Sequence, residues 1–456
     1  MTRPPAPRTN LSLFIGLWLG LTLMVGICAF LGLYFGLGGF RLASPEATST
    51  PPPTGAATAT SEPATPATEP VPQPTAELQP TAEGVGGGPA CDFGPEPASG
   101  FGYGIQSHVF VGDNNYWLGV VDNLGFNWVK MQVRWLDLQQ SPDGIFWDVL
   151  DGAVNDACAK GLRVMLSVVA APDWTRANPM PADQGQEAPP DDPQAFADFV
   201  GQIIDRYPGK IGAIEVWNEE NLEREWNTQE GISPSAYVDL LRVTYAAIKA
   251  ADPDIIVISG ALSPTGINCN VSFPDCQPSG RPIVVDDVTY LRGFIDAGGL
   301  EFADCIGVHS NGTNLPPTAD GANPPSPDGY SFTGPWDSPH YSWALKSQVE
   351  TYATILAGRK PQCVTEFGYG SPVNGVYPPN FDFAADVSEE EQGQYLVEAF
   401  NWMRDSGQVK LAFMFNLDYA PKGGDPAVDD NVIFSILTKD GLPRPAFDAL
   451  GAMPKP

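Results

Sequence analysis

Glu215-Val216-Trp217-Asn218-Glu219-Glu220-Asn221 is the stretch on which the reading of this chain turns. The apolar run that leads into it, Ile211 to Trp217, has the length and texture of a buried strand. It breaks off at Asn218-Glu219, which sets an amide and a carboxylate at a strand's C-terminal tip. Barrels of parallel strands keep their chemistry at that end. A second run, Pro361 to Thr365, stops the same way in Glu366-Phe367-Gly368. Two strand-tip glutamates so distant in sequence meet only where the sheet is closed or sharply curved.

Working outward, strands are expected over 103–110, 128–134, 163–169, 211–217, 255–259, 305–309, 361–366 and 410–416. Several are unbroken Val/Ile/Leu runs, as in strands covered on both faces. Amphipathic helical stretches lie between them, over 146–160, 193–207, 234–251, 343–357 and 388–404. In the first of these, Val149, Leu150, Ala153, Ala157 and Cys158 recur at three- and four-residue spacing. The alternation predicts an α/β fold, a (β/α)8 barrel over 91–456. The rival is an open doubly wound sheet, which would carry a Gly-rich first turn; none follows the first strand. Three connections, 170–191, 261–285 and 310–341, are long and all follow strand C-termini. They bring Trp174, Tyr330, Phe332, Trp336 and Tyr341 to the glutamates' face, with Trp226 nearby. These rings either stack on sugars or pack the loops onto the barrel.

The N-terminal quarter is different material. Residues 1–10 hold Arg3 and Arg8 and no acid, and 11–40 hold no charge at all. That run exceeds the roughly 20 apolar residues a bilayer span needs and the about 7–15 of a cleaved signal's core. A transmembrane signal anchor is expected, with 1–10 in the cytoplasm and everything after Arg41 outside the cell membrane. Residues 41–90, rich in Pro, Thr and Ala, cannot bury enough surface to offset chain entropy and read as a disordered stalk.

At 456 residues and 43% hydrophobic, the chain can bury a sizeable core, and its net charge of −30 argues against nucleic acid as a partner. Cys28 lies in the apolar run; Cys91, Cys158, Cys269, Cys276, Cys305 and Cys363 can oxidise in an exported domain. Their pairing is open, except that Cys269 and Cys276 flank a short loop suited to a local bridge. No metal or cofactor motif is present, so none is implied.

A pair of glutamates in one pocket suits glycoside hydrolysis, one protonating the departing oxygen while the other attacks the anomeric carbon. Glu220 is the rival acid, but strand alternation turns it away from Glu219. The same alternation puts Glu215, Trp217 and Glu219 on one face, with Glu215 lower in the barrel as a structural residue that needs a partner. His108 and His340 are further candidates to line the pocket. The alternatives are a non-catalytic surface glycan-binding protein on the same barrel, and a surface protein whose stalk does the work. Only the enzyme needs both carboxylates.

From about residue 101 onward the chain resembles the retaining (β/α)8 glycosidases of glycoside hydrolase clan A. It is most similar to the family 39 β-xylosidase type, with family 5 a near rival. The resemblance implies that Asn218 contacts the substrate's 2-hydroxyl, Glu219 is the acid/base and Glu366 the nucleophile. It gives Arg134, in Met131-Gln-Val-Arg-Trp135, the task of holding the nucleophile ionised, and puts His309, in Gly307-Val-His-Ser310, in the strand-six site position. Pro172-Asp-Trp174 and Asp440-Gly-Leu-Pro-Arg-Pro-Ala446 also match. One departure is Phe415, where the clan commonly has a tryptophan as the floor of the −1 sugar; phenylalanine keeps the flat face but loses the N–H donor. The implied activity is double-displacement cleavage of β-linked oligo- or polysaccharides, with carboxyls about 5–5.5 Å apart. Glu219 is expected to keep its proton near neutral pH through desolvation or the nearby nucleophile.

Overall fold

The computed structural model of the protein describes residues 91–93, 97–179, 187–265, 282–323 and 339–456. The anchor and stalk segments, Cys28, the Cys269–Cys276 pair, Tyr330, Phe332 and Trp336 lie outside the described residues.

Eight parallel strands follow the chain: β1 (Gly102–Gln106), β2 (Trp128–Arg134), β3 (Arg163–Val169), β4 (Ile211–Val216), β5 (Ile256–Ser259), β6 (Ile306–Gly312), β7 (Gln362–Tyr369) and β8 (Val409–Met414). Their order, β5-β4-β3-β2-β1-β8-β7-β6, is closed between β5 and β6 by bridges from Ile258 to Cys305 and from Leu262 to Val308. This is the expected barrel. The helices that follow the strands are α1 (Asn114–Asn123), α2 (Asp148–Ala159), α3 (Pro193–Arg206), α4 (Pro234–Ala251), α5 (Asp287–Asp296), α6 (Leu345–Leu356), α7 (Glu389–Ser406) and α8 (Pro445–Ala452).

Strand alternation divides the apolar residues between two layers. Trp128, Met165, Ala213, Ile258, Cys305, Cys363, Leu411 and Phe413 form a separate cluster that plugs the barrel's lower interior. Outward residues such as Val129, Leu166, Ile214 and Val364 pack with the helices in the main core. In α3, buried Phe196, Phe199, Val200 and Ile203 supply the helical face, and the start is fixed by Asp192, whose side chain accepts the Gln194 N–H beside Pro193. Ser388 and Glu391 close a reciprocal capping box at the start of α7. Among the described residues, two disulfides hold the domain. Cys91–Cys158 ties its beginning to α2, and Cys305–Cys363 links β6 to β7 inside the plug.

β2 and β3 run as expected, whereas β1 stops at Gln106 instead of 110. There the His108 backbone N–H leaves the ladder and donates to Asp418 Oδ1 at 3.0 Å. Among the described residues, no helix is long and apolar enough to cross a membrane.

Candidate active site

The site begins where β4 ends. Trp217 donates its backbone N–H to Val168, the last rung toward β3, but its φ is 77°, and Glu219 has φ 44°. Both are in the left-handed region that residues with a Cβ rarely occupy, a strain typical of functional positions. Cross-bonds hold the turn: Glu219 N–H to the Ala261 carbonyl at 2.9 Å, and the Trp217 indole to the Glu225 carbonyl at 2.9 Å. The turn also corrects the expected alternation. Glu215 faces inward onto Lys130, whereas Trp217 lies outside the strands against Phe196 and Trp226.

Glu366 reaches the same pocket by a different device. Cys363 is an inward residue of the plug, so regular alternation would turn Glu366 outward. A register irregularity, in which β6 advances from Val308 to His309 while β7 advances from Val364 to Glu366, inserts one residue and re-aims the carboxyl inward.

The two glutamates meet at His309. Its Nδ1 lies 3.0 Å from Glu219 Oε1 and 3.8 Å from Glu366 Oε2. One ring nitrogen is thus within reach of both carboxylates. The imidazole is fully buried, and its backbone carbonyl accepts the Gln348 amide at 2.6 Å. Burial pulls its pKa down, but the Glu366 charge and the Glu219 hydrogen bond outweigh that and raise it.

Arg134 does not hold the nucleophile. It sits at the rim with 39% of its side chain exposed, and Nε donates to Glu187 Oε1 at 2.8 Å while Nη1 pairs with Asp137. Lys130, four residues lower on the same face of β2, takes that place. It is wholly buried, with Nζ 2.8 Å from Glu366 Oε1 and 3.3 Å from Glu215 Oε2. Burial lowers its pKa, yet the charges of Glu215 and Glu366 more than compensate, so the ammonium is retained. Glu215 is therefore the buried counter-charge the sequence asked for. A lysine between Trp128 and Gln132 on an inward face was the available signal.

Glu219 departs from expectation. Burial pushes its carboxyl up, but His309 and the Arg224 guanidinium, whose Nη2 is 2.7 Å from Oε2, bring it down to about 2. Unliganded, it is a carboxylate. Two neighbours behave oppositely: burial raises Glu220 to about 8, and burial with the Glu219 charge raises Glu225 to about 8. Glu220 packs its carboxyl against Gly260, where a Cβ would sit 2.3 Å from Oε2 and force the carboxyl to move. It is buried against the wall of β5 and away from the pair.

The remaining expected residues fall around this centre. Asn218 is buried beside Glu219, and its amide oxygen has no hydrogen-bond partner. Phe415 follows β8 and packs with Phe383 and Phe434, its ring 6.2 Å from His108. His108 is partly exposed and leans on Asp418 through Nδ1 at 3.2 Å. Asp418 also accepts from Ser107 and from Lys422, each at 2.7 Å; burial is outweighed by His108 and Lys422, which hold its carboxyl at about 2. Trp174 stands at the rim, edge-on to Trp135, its indole donating to the Gln139 carbonyl. His340 is not at the centre; it caps a short turn through Ser342 and packs on Tyr341.

The sequence model of the cellulase family (glycosyl hydrolase family 5) matches residues 97–284, which is less than half of the chain. No curated protein matches the sequence. Among solved structures, the barrel is similar to a family 39 glycoside hydrolase from the gut symbiont Bacteroides cellulosilyticus WH2, at TM-score 0.53 and 17% identity. That alignment covers 78% of this chain and 64% of the other, so this chain spans less than two thirds of that protein. It is also similar to xylanase 10B from Thermotoga petrophila RKU-1, solved with xylobiose, at TM-score 0.50 and 16% identity over 77% and 93% of the two chains. At such identities these likenesses show the fold. That fold is a (β/α)8 barrel, and in this chain it brings two glutamates, Glu219 and Glu366, to one buried histidine.

Proposed function

We propose that the protein is a membrane-tethered enzyme that hydrolyses β-linked extracellular glycans, with Glu366 as nucleophile and Glu219 as acid/base. The single observation that carries the reading is His309 Nδ1 touching both carboxylates while Lys130 holds Glu366 from the other side. In the first step a Glu366 oxygen bonds to the anomeric carbon as the bond to the leaving oxygen breaks, and a proton on Glu219 passes to that oxygen. In the second, Glu219 as a carboxylate takes a proton from water, the water oxygen bonds to the same carbon, and Glu366 departs. Asn218, with its unsatisfied amide beside Glu219, is suited to the 2-hydroxyl, and Phe415 to the flat face of the −1 sugar. The family 5 match over residues 97–284 and the shape shared with a family 39 hydrolase both agree with this mechanism.

Screening the full chain against aryl β-xyloside, glucoside, mannoside and galactoside identifies that sugar. Activity on none of them, with glycan binding retained, would favour the non-catalytic reading. Glu219→Ala is expected to spare the first step on dinitrophenyl glycosides, whose leaving group needs no proton, and to slow the second step. It should abolish turnover of alkyl glycosides. Equal losses on both classes would remove Glu219 from the acid/base role.

The tether is supported by the uncharged run 11–40 behind Arg3 and Arg8, and by two disulfides that suit an oxidising compartment. The full chain should then stay with membranes through alkaline carbonate washing and be trimmed by protease added to intact cells. Release by carbonate would count against it.

A further inference from the structure

The resting site contains an obstacle to the reaction just described. Both oxygens of Glu219 are occupied, Oε1 by His309 at 3.0 Å and Oε2 by Arg224 at 2.7 Å, and only 6% of the side chain is exposed. A general acid must carry a proton and offer it within hydrogen-bond reach of the leaving oxygen. With a guanidinium on its outer oxygen, Glu219 has neither the proton nor the free edge.

The two partners differ in freedom. His309 is locked in β6 by burial and by Gln348. Arg224 lies on the connection after β4 with 65% of its side chain exposed, and its Nε is already 3.2 Å from Glu225 Oε1. Glu225 is itself fixed, because its backbone carbonyl holds the Trp217 indole. We propose that Arg224 is a displaceable latch, which occupies the leaving-oxygen position on Glu219 in the empty enzyme and is moved across to Glu225 by a bound glycan.

This inference rests on Glu219 being the acid/base. The latch's exchange is neutral overall: the guanidinium changes carboxylate, and the proton that burial keeps on Glu225 is given up as Glu219 takes one. The other charged groups around Glu219 and its partners are Glu220 next to it, with Glu215 below on β4, His309 from β6, Glu366 from β7 with Lys130 behind it on β2, Glu187 from the β3 connection and Asp430 from the β8 connection. None of these is a cation positioned to replace Arg224 on Oε2. Arg224 is thus a positioning residue that couples occupancy of the leaving-group subsite to arming of the acid.

The test is the pH profile of kcat/KM for wild type and Arg224→Gln, on a dinitrophenyl glycoside and on the matching disaccharide. Arg224 is exposed, so the variant should fold; Arg224→Lys, which keeps charge without the fork, is the companion. Without the guanidinium the Glu219 pKa rises, so it stays protonated to higher pH. The basic limb for the disaccharide should therefore move up by at least about one pH unit. The dinitrophenyl profile should not move, and Arg224→Lys should lie between. Glu225→Gln, which removes the landing carboxylate, should lower disaccharide kcat/KM about tenfold with the dinitrophenyl value unchanged. A disaccharide limb unmoved in Arg224→Gln, or moved equally for both substrates, overturns the latch; an unaffected Glu225→Gln overturns the landing on Glu225. Failure of the underlying assignment is separable, since Glu219→Ala would then show no dependence on the leaving group.

Discussion

Glu366→Ala is expected to lower kcat by at least about 10⁴-fold, because the covalent step has no substitute carboxylate on that side of the sugar. The barrel should stay folded, as the lost carboxyl partly reaches solvent and Glu215 remains as the counter-charge to Lys130. Its removal leaves a small space beside the Lys130 ammonium, a setting that admits an anion. Added azide should therefore restore turnover and attack from the vacated side, giving the glycosyl azide of inverted configuration. In Glu219→Ala the same reagent attacks the covalent intermediate, so its azide product keeps the substrate's configuration. If the two variants gave these products in exchange, the two roles would be swapped. The adducts are read directly from anomeric proton couplings by NMR.

The second large effect is expected at Lys130. Lys130→Met removes the only described cation within salt-bridge distance of Glu366 apart from the shared histidine, and kcat should fall about 10²–10³-fold, the usual loss for one preorganised electrostatic contact. It also strands Glu215, buried and without its partner, which should cost about 3–5 kcal/mol of stability. Adding Glu215→Gln removes the stranded charge. The double variant should thus recover most of the melting temperature and none of the activity. Recovery of both would make Lys130 a packing residue, and the cation for Glu366 would have to be sought elsewhere.

The contrast between Lys130 and Arg134 shows where sequence reading succeeds and where it stops. Alternation places both on the inward face of β2, and the resemblance pointed to Arg134 for the nucleophile, whereas the structure puts Lys130 there. Which of the two reaches Glu366 depends on height in the barrel. Lys130 starts deep and its chain runs up the interior, whereas Arg134 starts at the rim, where Glu187 and Asp137 capture it. The inward-facing lysine was visible in the sequence, but the capture of Arg134 by Glu187 and Asp137 was not.

Glu219 and Glu366 were legible because a carboxylate closing a buried apolar run has few explanations other than chemistry. The local geometry that aims them was not. Glu219 depends on two positive-φ residues that undo strand alternation, and Glu366 depends on a one-residue irregularity between β6 and β7. Either device is set by hydrogen bonds to a neighbouring strand or loop, so it becomes visible only once the barrel is closed. The resting charge of Glu219 was misjudged for a related reason. Burial alone argues for a proton, but Arg224 comes from a loop that folds back over the site, and its charge reverses the balance.

Helices show the same division. α4 coincides with its expected range, since its apolar face repeats cleanly behind Ser233 and Pro234. α1 was missed because only Leu118 and Val121 are buried in a segment that also holds a glycine and three asparagines, a weak periodic signal. It is started by Asp113, whose side chain accepts the Tyr116 N–H.

The most direct measurement is to trap the covalent intermediate. A 2-deoxy-2-fluoro glycoside with a dinitrophenyl leaving group, matched to the sugar the wild-type enzyme accepts, should inactivate it and add one sugar mass. Peptide sequencing by mass spectrometry should place that sugar on Glu366. A label on Glu219 or Glu225, or steady hydrolysis with inverted product and no label at all, would contradict the assignment.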